Sequence, residues 1–225
     1  MKALALTLSL AAVGLAACSG DVTTSGSGGG GGGGADPGPP IVTELTPDQT
    51  PLPGQTECKV TITENLPNEG QKHESVCTRV EYATNPPSSG NHWPIWAEFR
   101  TFDAPVPREM YVHDLEHGAV VMTYRCESAC PDVVAALEKT ASDYGVDPTC
   151  LSIDNGADAS RIVITPDPLL DRPIGLSAWR ATYTATCIDP PSLLDFVQKH
   201  YGNGPEDLCV QGKDPADPET GIPAC

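Results

Sequence analysis

Basic residues are scarce in this sequence. Thirteen Lys and Arg stand against 30 Asp and Glu over 225 residues, a formal net charge of -17. So acidic a surface repels polyphosphates and anionic headgroups, which excludes nucleic acid and anionic membrane surfaces as partners. It favours solubility and attracts cations. Long apolar runs are also lacking, since no stretch reaches the ~18 apolar residues that would cross a bilayer. The signatures of common enzyme classes are absent: there is no Gly-x-Ser-x-Gly elbow, no phosphate-binding glycine loop and no dinucleotide fingerprint. The seven consecutive glycines Gly28 to Gly34 are low complexity and precede no helix. What the chain has in abundance is glycine (22), proline (23) and cysteine (9).

The first 17 residues read as an export signal. Lys2 supplies the positive start, Ala3 to Gly14 the apolar stretch, and Leu15-Ala16-Ala17-Cys18 a small-residue cleavage site. That quartet resembles the bacterial lipobox, which implies that Cys18 is acylated and becomes the mature N-terminus. Losing Lys2 takes the charge from -17 to -18. Residues 18–54, rich in Gly and Pro, cannot bury a core and read as a disordered tether with a reach on the order of 30 Å. The expectation is an exported protein, lipid-anchored to the cell envelope. Ser19 rather than Asp after the lipidated Cys favours the outer membrane in a cell with two. Residues 55–225, about 170 in all, suffice for one domain with its own core.

Eight cysteines remain beyond Cys18: Cys58, Cys77, Cys126, Cys130, Cys150, Cys187, Cys209 and Cys225. An even count in an exported chain predicts disulfides, and sequence alone leaves 105 ways to pair eight. Cys58–Thr63 and Ser75–Tyr82 both read as short strands, so a hairpin joined by Cys58–Cys77 is expected. A Cys209–Cys225 bridge would pin the Pro- and Asp-rich tail. Cys126-Glu-Ser-Ala-Cys130-Pro131 lies between a strand-like and a helix-like run. It resembles the strand, Cys-x-x-x-Cys turn and helix of Sco-type copper-insertion proteins, whose two thiols bind copper with a downstream His. In an oxidising compartment the structural-disulfide reading is preferred, the pair bridging each other or Cys150 and Cys187.

Val120–Tyr124 is a short β-branched apolar run, hence a buried strand. Pro131 suits a first helical turn, and Val133, Val134, Leu137 and Ala141 follow at helical spacing. Arg161–Pro166 reads as a second strand and Leu176–Cys187 as a third. Pro190-Pro191-Ser192 opens a helix that Gly202 stops. The predicted fold is a compact single α/β domain with a mixed sheet. Its order of strand, helix, strand, strand, helix matches the second half of a thioredoxin-like domain.

Three of the five histidines fall between residues 92 and 117. His113 and His117, four apart, share a face in a helix and also in a strand. His92 follows Asn85-Pro86-Pro87-Ser88-Ser89-Gly90-Asn91, whose stiff and permissive residues can hold a side chain at one angle. Three imidazoles suit zinc or copper, and Glu116, Met110 and Met122 are candidate additional ligands, the two thioethers favouring Cu(I). His113-Asp-Leu-Glu-His117 has the H-x-x-E-H order of inverted zincin peptidases, but Pro105, Pro107 and Gly118 leave no room for the long helix that chemistry needs. His73 and His200 lack companions in sequence and read as surface residues.

The pair Asn85-Pro-Pro-Ser-Ser-Gly-Asn-His92 and Val112-His-Asp-Leu-Glu-His-Gly118 resembles the signature of the bacterial family catalogued as domain of unknown function 3105. Weaker likeness runs from about Cys58 to Glu206 and takes in Gly175–Trp179 and Tyr201–Glu206. Members are mostly secreted or membrane-anchored, and the resemblance marks His92, His113 and His117 as site residues without implying a reaction. Three readings follow. The first is an exported lipoprotein binding copper in preference to zinc, without turnover. The second is a thiol-disulfide or Sco-like protein using Cys126 and Cys130. The third is a structural or interaction module whose histidines are merely packed.

Overall fold

The computed structural model describes residues 38–126, 129–152, 160–219, 221–223 and 225. Cys18 and the signal segment lie outside the described residues, as does most of the tether. The folded unit is a six-stranded mixed sheet with three α-helices. The strands are β1 (Ile41–Leu45), β2 (Val60–Glu64), β3 (Val120–Tyr124), β4 (Ile162–Pro166), β5 (Ile174–Ala178) and β6 (Ala181–Ala185), in the order β1-β2-β6-β5-β3-β4. Only β3 and β4 run parallel; the other pairs are antiparallel. The helices are α1 (Arg108–Glu116), α2 (Pro131–Tyr144) and α3 (Pro190–His200).

Side-chain alternation along β3 divides the core in two. Val120 and Met122 point into a cluster with Val133 and Leu137 of α2 and Leu193, Phe196 and Val197 of α3. Val121 and Val163 point the other way, into a cluster with Phe99, Met110, Tyr111 and Leu115 around α1. One face of the sheet therefore carries α2 and α3, and the other carries α1 with the irregular chain leading to it. α2 begins as its sequence predicts, with Pro131 in the first turn, and ends at Gly145, whose φ of 91° suits glycine. α3 starts on Asp189, whose carboxylate accepts the Ser192 N–H, and Gly202 (φ 77°) follows its end.

Four expectations are corrected. Residues 41–45 belong to the sheet as β1, paired with β2 from Ile41↔Glu64 to Leu45↔Val60, so the folded unit starts well before residue 55. The stretch read as one strand over Leu176–Cys187 is a hairpin of β5 and β6 that turns at Trp179 and Arg180, the latter at φ 63°. Ser75–Tyr82 forms no strand, so the expected Cys58–Cys77 hairpin does not exist. The cysteines pair instead as Cys58–Cys187, Cys77–Cys225, Cys126–Cys130 and Cys150–Cys209, which also replaces the expected Cys209–Cys225 bridge. The physical reason lies in the ladder. β2 pairs with β6 in a register that sets Val60 opposite Ala185, and two more residues along each chain bring Cys58 opposite Cys187.

Candidate metal centre

α1 carries the His-Asp-Leu-Glu-His segment. It is short for the reasons the sequence gives: Pro107 stands at its N-cap, His117 at its C-cap, and Gly118 leaves it at φ 82°. Every residue from Glu109 to Glu116 is buried, polar ones included. The chain from Tyr201 to Asp207 closes over its C-terminal end. Gly202 N–H donates to the Gly118 carbonyl (2.8 Å) and Glu206 N–H to the Glu116 carbonyl (2.9 Å). A Cβ at Gly204 would collide with the backbone of Gly118 and Glu116, so glycine is required there. Buried Arg161 braces this closure, donating to the His117 carbonyl (2.8 Å) and pairing with Asp207 (2.7 Å) and Asp147 (3.1 Å).

The loop before His92 is a fixed frame. The Asn85–Pro86 bond is cis, and Pro86 to Gly90 are all buried. The Ser89 hydroxyl donates to the Pro67 carbonyl (3.2 Å) and accepts from Glu69 N–H (3.1 Å), and the Ser88 carbonyl accepts from Arg180 N–H (2.7 Å). Gly90 has φ 126° and a Cβ there would crowd the Tyr82 ring at 3.0 Å, and the Tyr82 hydroxyl donates to the Asn91 carbonyl (2.9 Å). The segment around His73 runs beside this loop in a parallel bridge, His92 N–H donating to the Lys72 carbonyl (3.1 Å) and Glu74 N–H to the His92 carbonyl (2.7 Å).

These elements bring His73, His92, His113 and Glu116 together, one ligand atom from each lying within 4.8 Å of the others. The Nδ1 of His92 lies 2.8 Å from the Gly90 carbonyl, and the Nδ1 of His113 lies 2.7 Å from the Trp93 carbonyl. A carbonyl only accepts, so both Nδ1 atoms carry the proton and both Nε2 lone pairs are left for another partner. That partner is a common point. The Nε2 atoms of His92, His73 and His113 lie 3.0, 3.7 and 4.0 Å from the same oxygen, Oε2 of Glu116. The His73 ring stacks on His113 with centroids 4.8 Å apart. Its side chain is half exposed, whereas the other three donors are buried.

Electrostatics prepare the donors for a cation. Burial, reinforced by the neighbouring histidines, lowers the His113 imidazole to about 4, so it is neutral at physiological pH. Burial alone would raise the Glu116 carboxyl, but its hydrogen bond to His92 and the electrostatic influence of the surrounding imidazoles hold it below the usual range. Neutral imidazole and ionised carboxylate are the ligating forms.

His117 stands beside this group rather than in it. Its ring meets His113 edge-on at 4.6 Å, its Nε2 faces Glu206 at 3.4 Å, and its Nδ1 is buried with no hydrogen-bond partner among the described residues. Burial lowers its imidazole to about 4 as well. Trp96 lies against both rings, 5.1 Å from His113 and 4.7 Å from His117. Met122 points to the opposite face of the sheet, among α2 and α3, because alternation along β3 places it there. Met110 is packed in the apolar cluster under α1. Of the two histidines read as lone surface residues, neither is alone and only His73 is exposed. His73 has three companions at the cluster, and His200 is mostly buried, 3.2 Å from Glu64 and packed on Phe196.

An α/β fold with a cluster of three imidazoles and one carboxylate on its α1 face is thus the class of protein at hand. Residues 73–212, well over half of the chain, match the family described as Protein of unknown function (DUF3105), and the protein belongs to that family. All four clustered donors fall inside the matched span, His73 at its first residue. No curated protein and no solved structure matches the chain.

Proposed function

We propose that this protein is an exported, lipid-anchored binder of a divalent transition metal ion, held by His73, His92, His113 and Glu116 without turnover. One observation carries the reading: two buried imidazoles have their Nδ1 protons tied to backbone carbonyls, which aims both Nε2 atoms at a buried carboxylate. Backbone carbonyls fix the tautomer and ring angle of metal-bound histidines in this way. An incoming cation would take the place of the direct His92–Glu116 contact.

Three nitrogens and one oxygen form a donor set of intermediate hardness. With the thioethers elsewhere, Cu(I) loses its preference, and Cu(II) or Zn(II) fits. The order of affinities on such ligands puts Cu(II) ahead of Zn(II). Titration calorimetry on the folded, tag-free protein tests this, read in parallel by tryptophan fluorescence because Trp96 abuts the site. One ion per chain, released by chelator, is expected. No heat and no change in emission with Cu(II) or Zn(II) leaves a packed histidine cluster and overturns the reading.

The export reading rests on the Leu15–Cys18 quartet and agrees with four disulfides, which persist in oxidising compartments. Cells fed a fatty-acid analogue should label the wild-type protein and not Cys18→Ala, which should leave the membrane fraction. An unlabelled wild-type protein rules out the anchor and, with it, the outer-membrane placement.

A further inference from the structure

Cys126–Cys130 differs in kind from the other three bridges. Those close spans of 129, 148 and 59 residues and join distant parts of the fold. This one closes a span of four between the end of β3 and the start of α2, which the chain already joins. Loop-closure entropy grows with the length closed, so this bridge stabilises least of the four. It is also placed where a reactant can reach it. Both residues are partly exposed, as Cys77 and Cys225 also are and buried Cys58 and Cys187 are not, and both line an open cavity of about 450 Å³. Leu52, Pro53 and Pro173 give that cavity an apolar wall, and Arg125 adds a positive charge.

The leaving group is prepared as well. Cys130 occupies the N-cap of the 14-residue α2, and among the described residues no side chain caps that end. A thiolate at this position sits at the positive end of the helix dipole, with the Arg125 guanidinium and the Asp132 carboxylate both on the same cavity. Stabilising the thiolate stabilises the reduced pair, which makes the disulfide the more oxidising. This site lies at the end of β3 away from α1 and does not depend on the metal centre.

We propose that Cys126–Cys130 is an exchangeable disulfide that oxidises cysteine pairs in extended exported polypeptides lodged in this cavity. A substrate thiolate attacks Cys126 Sγ, the Cys126–Cys130 bond breaks, and a mixed disulfide forms while Cys130 leaves as a thiolate. The second substrate thiolate then attacks the substrate sulfur of the mixed disulfide, and Cys126 leaves with the electron pair. The substrate loses two electrons and gains a disulfide. The protein gains two electrons, and the two thiol protons pass through solvent to Cys126 and Cys130 as their pKa values dictate.

The test uses the folded protein with its bridges intact. It is equilibrated in glutathione buffers of rising reducing power, quenched by alkylation and mapped by mass spectrometry. Cys126 and Cys130 are expected to become labelled by about 10 mM glutathione while the other six cysteines stay bridged. In a second arm, the oxidised protein is mixed with reduced, unfolded ribonuclease. It should form disulfides in that substrate at least roughly tenfold faster than the Cys126→Ser/Cys130→Ser variant does. A pair that stays closed until the fold melts, that opens only together with the others, or that transfers no faster than the double variant overturns the proposal. Should the double variant fail to fold, the selective-reduction arm on the wild-type protein decides alone.

Discussion

Replacing His113 by alanine is expected to weaken metal binding by about a thousandfold, close to 4 kcal/mol. The figure follows from sharing the roughly 10–16 kcal/mol of a four-donor zinc site among its ligands. His113→Ala removes a buried donor whose angle is set by the Trp93 carbonyl, so no exposed side chain can swing in to replace it. His92→Ala should behave alike. His73→Ala should cost less, because its half-exposed position lets water take its place. His117→Ala separates this site from a cluster of His92, His113 and His117: outside the donor group, it should change affinity by less than about tenfold, in the range of an outer-shell contact. A His117→Ala loss equal to that of His113→Ala would sink the assignment. Melting curves of each variant guard against a trivial explanation, since removing His113 also leaves the Trp93 carbonyl without its donor, at about 1–2 kcal/mol.

The pH dependence carries the same argument. An imidazole ligates only when neutral, and a histidine with an ordinary pKa would begin to lose metal as pH falls through roughly 6.5. Burial disfavours the His113 cation and lowers its pKa to about 4. Proton competition at this residue therefore starts near pH 4, and His113 stays a competent ligand throughout the mildly acidic range. Binding isotherms between about pH 7 and 4 are expected to show no loss assignable to His113, and His113→Ala should leave the slope of log affinity against pH unchanged there.

How much of this was legible in the sequence depends on which forces left a periodic trace. β3, β4, α2 and α3 bury one apolar face or run, and their Val, Ile and Leu spacing announces them. α1 left no such trace, because Glu109, His113, Asp114 and Glu116 are buried along with Met110 and Leu115. Residues buried for a site defeat a pattern that sorts apolar inside from polar outside. The turn between β5 and β6 was equally silent, since Trp179 and Arg180 take the place where Gly or Asn would have marked a hairpin. β1 is five residues, all exposed, amid prolines, and only its ladder to β2 makes it a strand.

Within the site, His113 and Glu116 follow from helical spacing and His92 from its stiff loop. His73 does not follow from any local signal. It lies 19 residues before His92, in a segment without regular structure, and a backbone bridge between non-adjacent chains delivers it. His117 was drawn into the expected triad by its spacing from His113. Yet a helix ends at His117, and there the chain turns the ring toward Glu206 instead of Glu116.

A large stability effect is expected from the Cys58–Cys187 bridge, close to that of the slightly longer Cys77–Cys225 span. A cross-link spanning 129 residues removes denatured-state entropy equivalent to about 5 kcal/mol in the chain-entropy model, against about 2 for a span of four. Cys58 precedes the family-matched residues and Cys187 lies within them, so this bond ties the β1–β2 hairpin to the matched domain. Hydrogen bonds already align the two chains there, with Thr186 N–H donating to the Lys59 carbonyl at 3.0 Å and Lys59 N–H to the Thr186 hydroxyl at 2.8 Å. The bond therefore adds mainly by limiting the unfolded chain. Cys58→Ser/Cys187→Ser, changed together so that no buried free thiol remains to mispair, should lower the unfolding free energy from denaturant melts by about 4–5 kcal/mol. For a domain whose total stability is typically 5–15 kcal/mol, that leaves a fold close to its limit at 37 °C. Cys126→Ser/Cys130→Ser under the same conditions should cost about 2 kcal/mol or less. Equal losses for the two variants would show that loop closure does not govern these bridges, and that the β2–β6 ladder holds the hairpin without covalent help.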